Sequence, residues 1–155
     1  FEGAGCRLED KRTKLRLISD GNLKAVRDIR TMPYPGFPTD AQAPVTAMLC
    51  TAKGTSVIVE NIFENRFNHI GELVRMGADI KGEGRVAIVN GVPSLHSAHV
   101  LAVDLRAGSA LVVAALKAHG ETVISGVKHI DRGYEKIEDC LKKIGARIER
   151  SAESG

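Results

Sequence analysis

The sequence repeats itself at a spacing of about 66 residues, and this feature constrains the fold more than any other. Residues 54–58 match residues 120–124 at an offset of 66, and residues 77–81 match residues 145–149 at an offset of 68. The second pattern occurs once more at residues 5–9. A glycine opens each of its three copies, which is typical of a helix C-cap that is followed by a strand. We therefore expect two copies of one unit, preceded by the end of an earlier copy.

Strands and helices are expected to alternate within each copy, which predicts an α/β fold. Alternating apolar patterns predict strands at residues 14–19, 56–62, 85–89, 99–103 and 122–127. Helical periodicity predicts helices at residues 40–52, 66–77, 105–119 and 133–145. The dipeptide Asn90-Gly91 predicts a hairpin turn.

Two of the four predicted helices are apolar on nearly all sides. The helix at residues 105–119 has almost no polar face, and the helix at residues 40–52 is similarly apolar. A helix that is hydrophobic all round is buried. The helices at residues 66–77 and 133–145 carry charges on one face and are expected at the surface. Each copy would then contribute one interior and one exterior helix, with the strands covering the interior helices.

Composition and cysteine usage exclude several classes of protein. The chain has 155 residues, 43% hydrophobic and 26% charged, which is typical of a globular domain. No apolar run reaches the roughly 18 to 20 residues of a membrane span, and a net charge of +3 does not by itself indicate nucleic-acid binding.

The cysteines and histidines lack the spacing of a disulfide framework or a zinc site, which favours a cytoplasmic protein. Cys50 and Cys140 are expected to be buried on helices. Because the chain begins with Phe1, we expect it to be part of a longer protein.

Polar side chains are concentrated at the predicted start of the helix at residues 40–52. Residues 33–38 include three prolines, which predict a stiff, extended approach to Thr39 and Asp40. Thr39 and Gln42 fit a capping box, which would put Asp40 in the first helical turn. An acid at this position stabilises a helix by itself, so its place in the sequence does not establish a function.

Arginines occupy three of the predicted helix starts, at Arg66, Arg106 and Arg132. An arginine there opposes the helix dipole, and the cost is usually offset by an acid or by a bound anion. Two interpretations therefore stay open: structural ion pairs with adjacent acids, or a pocket that holds a carboxylate or phosphate through guanidinium groups. The adjacent acids are Glu64, Asp104 and Asp131.

Four segments resemble the UDP-N-acetylglucosamine 1-carboxyvinyltransferase family of enolpyruvyl transferases. They contain the runs TMPYPGFPTD, ENIFENRF, DLRA and HIDRGY, and begin at Thr31, Glu60, Asp104 and His129. The related shikimate-pathway enolpyruvyl transferases are less similar at the first two runs. The resemblance implies the C-terminal part of such an enzyme, with an inside-out α/β barrel-type domain of βαβαββ repeats that is incomplete in this chain. The expected division is the end of one repeat with linker strands at residues 1–30, a second repeat at residues 31–90 and a third at residues 91–155.

The same resemblance implies an activity and a site. The family transfers the enolpyruvyl group of phosphoenolpyruvate to the 3-hydroxyl of UDP-N-acetylglucosamine and releases phosphate, in peptidoglycan synthesis, with no cofactor or metal. Asp40 matches the catalytic aspartate that contacts this hydroxyl as its proposed general base, and Ile62 matches a position whose backbone contacts the UDP-sugar. Arg106 and Arg132 match arginines that line the phosphoenolpyruvate and phosphate region, and Arg66 is expected close by as a further substrate-binding residue. The family's catalytic cysteine lies in the other domain and aligns with no cysteine here, so we expect this part to be inactive alone.

Other functions stay open on the sequence. A non-catalytic module of the same architecture would bind phosphate-rich ligands, including nucleic acid, although aromatic residues make up only 4% and there is no Trp for base stacking. A homo-oligomer could form through surfaces that a missing repeat leaves uncovered. The partner implied by the resemblance is the missing N-terminal part of the enzyme, with no nucleic acid and no membrane.

Overall fold

Strands and helices alternate along residues 1–151, the part of the chain that the computed structural model describes. The strands are β1 (Arg7–Asp10), β2 (Leu15–Ile18), β3 (Ile29–Arg30), β4 (Thr55–Val59), β5 (Asp79–Glu83), β6 (Val86–Asn90), β7 (His99–Leu101) and β8 (Val123–Ser125). The helices are α1 (Gln42–Leu49), α2 (Ile70–Arg75), α3 (Leu105–Lys117), α4 (Lys128–Asp131) and α5 (Ile137–Lys143), with short 3₁₀ turns at Glu2–Ala4 and Thr39–Ala41. None of these helices is long and apolar enough to cross a bilayer.

The middle of the chain forms a four-stranded sheet in the expected βαβαββ order, which runs β3, α1, β4, α2, β5, β6. In the sheet the order is β3-β4-β6-β5, with β3 parallel to β4 and β6 antiparallel to both β4 and β5. The register places Ile58 opposite Ala87 and Ile80 opposite Val89, so the buried side chains share one face. β1 and β2 form a separate antiparallel hairpin, and β7 and β8 pair in parallel.

α1 and α3 are the interior helices, as predicted. They pack against each other and enclose the main core together with the buried face of the four-stranded sheet. Small side chains such as Ala47 and Ala110 let the two helix backbones approach closely. α5 has no fully buried residue and covers a smaller apolar cluster around Ile130.

The repeat is visible as one backbone motif at three glycines. Gly5, Gly77 and Gly145 have φ values of 90°, 90° and 96°, in the left-handed region that glycine tolerates best. At Gly77 the glycine N–H donates to the carbonyl three residues earlier at 2.9 Å, and Ala78 N–H donates to Leu73 at 3.0 Å. The same two bonds occur at Gly5 and Gly145, so each glycine ends its helix in a Schellman motif. A strand follows the first two glycines, but residues 146–150 form none because no described strand pairs with them.

The hairpin turn predicted at Asn90-Gly91 is wrong. The hairpin between β5 and β6 turns at Gly84 and Arg85 instead. Gly91 N–H donates to the Gly54 carbonyl at 2.9 Å, and a Cβ on Gly91 would lie only 1.6 Å from the Ala52 carbonyl oxygen. Glycine is required here because two backbones approach each other, not because the chain reverses.

Three segments differ from their predicted shape. The extended proline segment is a tight turn, closed by Met32 N–H to the Phe37 carbonyl at 3.0 Å and by Gly36 N–H to the Pro33 carbonyl at 2.8 Å. The helix predicted at residues 66–77 starts only at Ile70, because the preceding residues form a loop. The helix predicted at residues 133–145 is shorter and follows a separate helix, α4.

Candidate active site

Asp40 lies in the 3₁₀ turn Thr39–Ala41, directly before α1. The predicted capping box is wrong, because the Thr39 hydroxyl donates to Glu60 Oε2 at 2.8 Å instead of capping the helix. Gln42 is buried and its Nε2 has no hydrogen-bond partner among the described residues. The side chain of Asp40 is 71% exposed, so its carboxylate is open to a ligand.

Two arginines from different elements converge on Asp40. Arg106, the second residue of α3, donates from Nε to Asp40 Oδ1 at 2.6 Å, and its Nη2 lies 2.5 Å from the same oxygen. Arg66 Nη1 lies 3.7 Å from that oxygen, beyond hydrogen-bond distance. The Arg66 guanidinium carbon stands 4.0 Å from the ring centroid of Phe63, which supports it by a cation–π contact. Arg66 Nη1 is buried and has no hydrogen-bond partner among residues 1–151.

Asp104 is the N-cap residue of α3, two residues before Arg106. Its Oδ1 accepts the Ala107 N–H at 2.7 Å as a helix N-cap, and its Oδ2 accepts Asn68 Nδ2 at 3.2 Å. Burial would raise the pKa of Asp104, but the hydrogen bonds from Ala107 and Asn68 outweigh it, and the pKa lies below its usual value. The negative charge of Asp104 offsets the helix dipole, which reduces the cost of placing Arg106 in the first turn of α3.

Arg132 does not stand where the sequence predicted it. It follows the last residue of α4, at a helix end, and no ion pair involves it within the described residues. Its neighbour Gly133 lies against Leu105, since a Cβ on Gly133 would come within 2.7 Å of Leu105 Cδ2. The Arg132 backbone is therefore beside the start of α3, although its side chain does not join the contact with Asp40.

None of the three possible ion pairs with adjacent acids forms within residues 1–151, and Arg106 pairs with Asp40 rather than with Asp104. Glu64 pairs with Arg85 at 2.9 Å rather than with Arg66. Asp131 accepts two hydrogen bonds from Arg150, at 2.8 and 2.9 Å, which lower the pKa of Asp131. The interpretation as a pair with an adjacent acid therefore does not account for Arg66, whose one ion pair within the described residues is with Asp40. Arg66 also lies in a loop four residues before α2, not at a helix start.

Glu60 is a buried acid that the sequence reasoning missed. It directly follows β4, is 1% exposed, and accepts hydrogen bonds from Thr31, Thr39, Ile62 and Phe63. Burial opposes its ionisation, but these hydrogen bonds hold the pKa of Glu60 below its usual range. The signal that could have found it is an acid placed directly after an apolar strand. Ile62 is half-buried, and its N–H donates to Glu60 Oε1 at 2.9 Å. Only the carbonyl of its backbone is therefore left to accept a hydrogen bond from a ligand.

His69 is a second buried polar residue without a signal in the sequence. It is the N-cap of α2, is 1% exposed, and its Nε2 has no hydrogen-bond partner among the described residues. Burial lowers the pKa of His69 to about 4, against the attraction of Asp104. The imidazole is therefore neutral at physiological pH and packs beside Phe67, with 6.1 Å between the ring centroids.

The three cysteines do not contribute an activated thiol to this cluster. Cys50 is fully buried, as predicted, and burial raises the pKa of its thiol to about 12. Cys6 is also buried, whereas Cys140 is exposed, which corrects the prediction that it is buried. The reason is that α5 lies on the surface and buries none of its residues fully. Within residues 1–151, no three His, Cys, Asp or Glu side chains are grouped to hold a metal ion.

The arrangement can hold an anion and can take a proton. Two guanidinium groups face one carboxylate, which leaves a positive charge and an unused N–H of Arg66 beside Asp40. Guanidinium groups bind carboxylates and phosphates through paired hydrogen bonds. The exposed Asp40 carboxylate can accept a hydrogen bond from a hydroxyl group held next to that anion.

The chain is similar in sequence and fold to known proteins. The UDP-N-acetylglucosamine 1-carboxyvinyltransferase of Magnetococcus marinus is 55% identical to the chain over 148 residues, which are 95% of this chain and 35% of that protein. A protein of the same name from Desulfofundulus thermocisternus is 56% identical to the chain over 148 residues, which are 96% of this chain and 60% of that protein. The crystal structure of the enolpyruvyl transferase NikO from Streptomyces tendae matches 96% of this chain with a TM-score of 0.85 at 28% identity.

These relatives confirm the resemblance and the fold class predicted from the sequence. The chain spans about a third of the length of the Magnetococcus protein and of NikO. The sequence model of EPSP synthase (3-phosphoshikimate 1-carboxyvinyltransferase) matches residues 1–141. The chain therefore belongs to the EPSP synthase (3-phosphoshikimate 1-carboxyvinyltransferase) family.

Proposed function

We propose that this chain forms one wall of an active site that transfers the enolpyruvyl group of phosphoenolpyruvate to the 3-hydroxyl of UDP-N-acetylglucosamine and releases phosphate. The contact of Asp40 with Arg66 and Arg106 carries the proposal, because it combines a proton acceptor with two groups that hold negative charge. The names of relatives at about 55% identity support UDP-N-acetylglucosamine as the acceptor. The proposed repeats are residues 31–90 and 91–155, after the end of an earlier repeat at residues 1–30.

Each site residue has a proposed role. Asp40 orients the sugar hydroxyl and takes its proton, while Arg66 and Arg106 neutralise the carboxylate and phosphate charges that develop in the tetrahedral intermediate. Arg132 reaches the same anion from the end of α4, beside the start of α3. The Ile62 carbonyl contacts the UDP-sugar, since the Ile62 N–H is already bonded to Glu60.

The remainder of a longer enzyme is the proposed partner. It would supply the catalytic cysteine that this family uses, because the pKa of Cys50 is raised and Cys6 is buried. We propose that the chain is inactive alone, and that the complete enzyme serves peptidoglycan synthesis in the cytoplasm. The greater length of the relatives supports this partnership.

The test uses a chimera in which this chain replaces the matching 35% of the Magnetococcus marinus protein. We expect the chimera to release phosphate from phosphoenolpyruvate only when UDP-N-acetylglucosamine is present, and the 155-residue chain alone to release none. Shikimate 3-phosphate in place of the UDP-sugar should give no release. A folded chimera that prefers shikimate 3-phosphate, or that is inactive with both acceptors, would overturn the proposal.

A non-catalytic anion-binding function is the second candidate. The buried, unpartnered Nη1 of Arg66 favours it, because an anion would complete the hydrogen bonds of that group. Titration of the chain with inorganic phosphate, followed through the Arg66 and Arg106 side-chain NMR signals, tests this function. Saturable binding of phosphate by the chain, together with an inactive chimera, would favour the second candidate over the first.

A further inference from the structure

Glu60 stands at the centre of a buried hydrogen-bond network beside the candidate site. It follows the last residue of β4, and its own N–H donates to the Arg85 carbonyl at 2.8 Å, which continues the sheet by one residue. Only 1% of its surface is exposed, so it cannot contact a ligand directly. Any effect of Glu60 on chemistry must therefore pass through the groups bonded to its carboxylate.

Both carboxylate oxygens of Glu60 are used. Oε1 accepts the Thr31 hydroxyl at 2.7 Å, the Ile62 N–H at 2.9 Å and the Phe63 N–H at 3.2 Å. Oε2 accepts the Thr39 hydroxyl at 2.8 Å. All four donors are neutral, and no salt bridge within the described residues includes Glu60. A buried carboxylate without a cation is rarely kept unless hydrogen bonds satisfy it, as they do here.

Three of the donors belong to segments that carry site residues. Thr39 precedes Asp40 in the same 3₁₀ turn. Ile62 is itself a candidate contact, and the ring of Phe63 supports the Arg66 guanidinium at 4.0 Å. The turn before α1 and the loop before α2 lie more than 20 residues apart in sequence, and Glu60 bonds to both.

Thr31 extends the same network into the sheet. It is fully buried at the end of β3, donates its hydroxyl to Glu60, and accepts the Asn61 N–H at 2.8 Å with the same oxygen. The carboxylate is thereby held by β3 as well as by β4. Its position is set by the sheet rather than by the turn and the loop that it joins.

We propose that Glu60 is a positioning residue, which holds the turn of Asp40 and the loop of Ile62, Phe63 and Arg66 in the one relative arrangement that brings Asp40 and the arginines together. This inference rests on the proposed function only for its effect on turnover. The effect of Glu60 on the geometry of the cluster does not depend on the reaction.

The first arm of the test measures geometry in the 155-residue chain by NMR. Thr39→Val removes the single hydroxyl that joins the Asp40 turn to Glu60, and it should shift the Arg106 Nε–H signal, which reports the bond to Asp40. Thr39→Ser keeps the hydroxyl and should restore the signal. The matched control is Thr55→Val, which removes an exposed hydroxyl bond to Asn90 in the same sheet and should leave the Arg106 signal unchanged.

A second variant tests the acceptor itself. Glu60→Gln keeps the size of the side chain but removes its charge, so the amide protons of Ile62 and Phe63 should move upfield together as their acceptor weakens. Both amides should also lose protection from hydrogen exchange. Unchanged shifts and protection at both amides would overturn the proposal.

The second arm measures turnover in the chimera with the Magnetococcus protein. Thr39→Val should lower kcat about 10- to 100-fold while the KM for UDP-N-acetylglucosamine changes much less, because small misplacements of a catalytic group affect the transition state most. Thr39→Ser should restore kcat, and Thr55→Val should not alter it. If Thr39→Val leaves both kcat and the Arg106 signal at their starting values, Glu60 does not position the site. An inactive parent chimera would instead refute the proposed function, and the NMR arm would still decide the role of Glu60.

Discussion

Asp40 and Arg106 occupy equivalent positions in the two copies of the repeat, since they are separated by 66 residues, the same offset as residues 54–58 and 120–124. Each stands at the start of an interior helix, and these two helices pack against each other. Two positions that differ by the repeat offset thus lie together, and one carries a carboxylate while the other carries a guanidinium group. Arg66 and Arg132 are related by the same offset. The candidate site therefore lies where the starts of α1 and α3 meet.

Asp40→Asn should abolish most turnover without unfolding the protein. The amide keeps the shape of the side chain but cannot take a proton, and general-base catalysis contributes about 10²- to 10⁴-fold. Because Asp40 is largely exposed, the free energy of unfolding should change by no more than about 1 kcal/mol. Steady-state kinetics and denaturation of the chimera measure the two effects. Asp28→Asn, which breaks the exposed pair with Arg30, serves as the control, and equal activities of the two variants would remove Asp40 from the mechanism.

Arg132→Ala should raise the KM for phosphoenolpyruvate in the chimera by about tenfold, the effect of losing one charge-assisted hydrogen bond. The side chain of Arg132 makes no ion pair within residues 1–151, so the substitution should leave the fold unchanged. The exposed Arg147 provides the control substitution Arg147→Ala. An unchanged KM would mean that Arg132 stays away from the anion, as it does from Asp40 in this structure.

His69 should make the chain lose stability as the pH falls. The unfolded chain takes up a proton on this histidine near pH 6.5, whereas the folded chain does so only near its pKa of about 4. Stability is therefore complete above pH 6.5 and decreases between pH 6.5 and 4, by about 3 kcal/mol in all. Urea denaturation at pH 7.5 and 4.5 measures the decrease. His69→Leu should reduce the difference between the two pH values, while His99→Leu at an exposed strand position should not.

Two glycine substitutions should have opposite effects on stability. Gly91→Ala would place a Cβ 1.6 Å from the Ala52 carbonyl oxygen, so the backbone would have to shift, at a cost of about 3 kcal/mol. Gly71→Ala lies in α2, where no atom stands within 4 Å of the added Cβ, and should stabilise the protein by about 0.5 kcal/mol. Thermal denaturation of both variants compares them. Equal melting temperatures would contradict the close backbone approach at Gly91.

The chain should self-associate through the hairpin of β1 and β2. Leu15 and Leu17 share one face of this hairpin and are 70% and 48% exposed. Exposed apolar side chains on a two-stranded hairpin favour association with another surface. Sedimentation velocity over a concentration series should show a dimer that Leu15→Lys with Leu17→Lys dissolves. Thr13→Lys with Ser19→Lys adds the same charge on either side of β2 and should not dissolve it.

Much of the architecture was determined by the sequence alone. The φ values of Gly5, Gly77 and Gly145 and the burial of α1 and α3 follow from local properties, namely the freedom of glycine and the absence of a polar helix face. The starts of two helices were predicted four residues too early, because loops precede Ile70 and Ile137, where α2 and α5 begin.

The site was decided by the tertiary structure. The sequence singled out Asp40, Arg66 and Arg106 but left open whether the arginines pair with adjacent acids or bind an anion, whereas the fold brings Arg106 to an acid 66 residues away. Glu60 escaped notice because its hydrogen-bond donors are supplied by separate segments. The physical reason is that burial and backbone conformation depend on residues close along the chain. Ion pairs and hydrogen bonds instead depend on distances in space, and only the packing of the two repeats sets those distances.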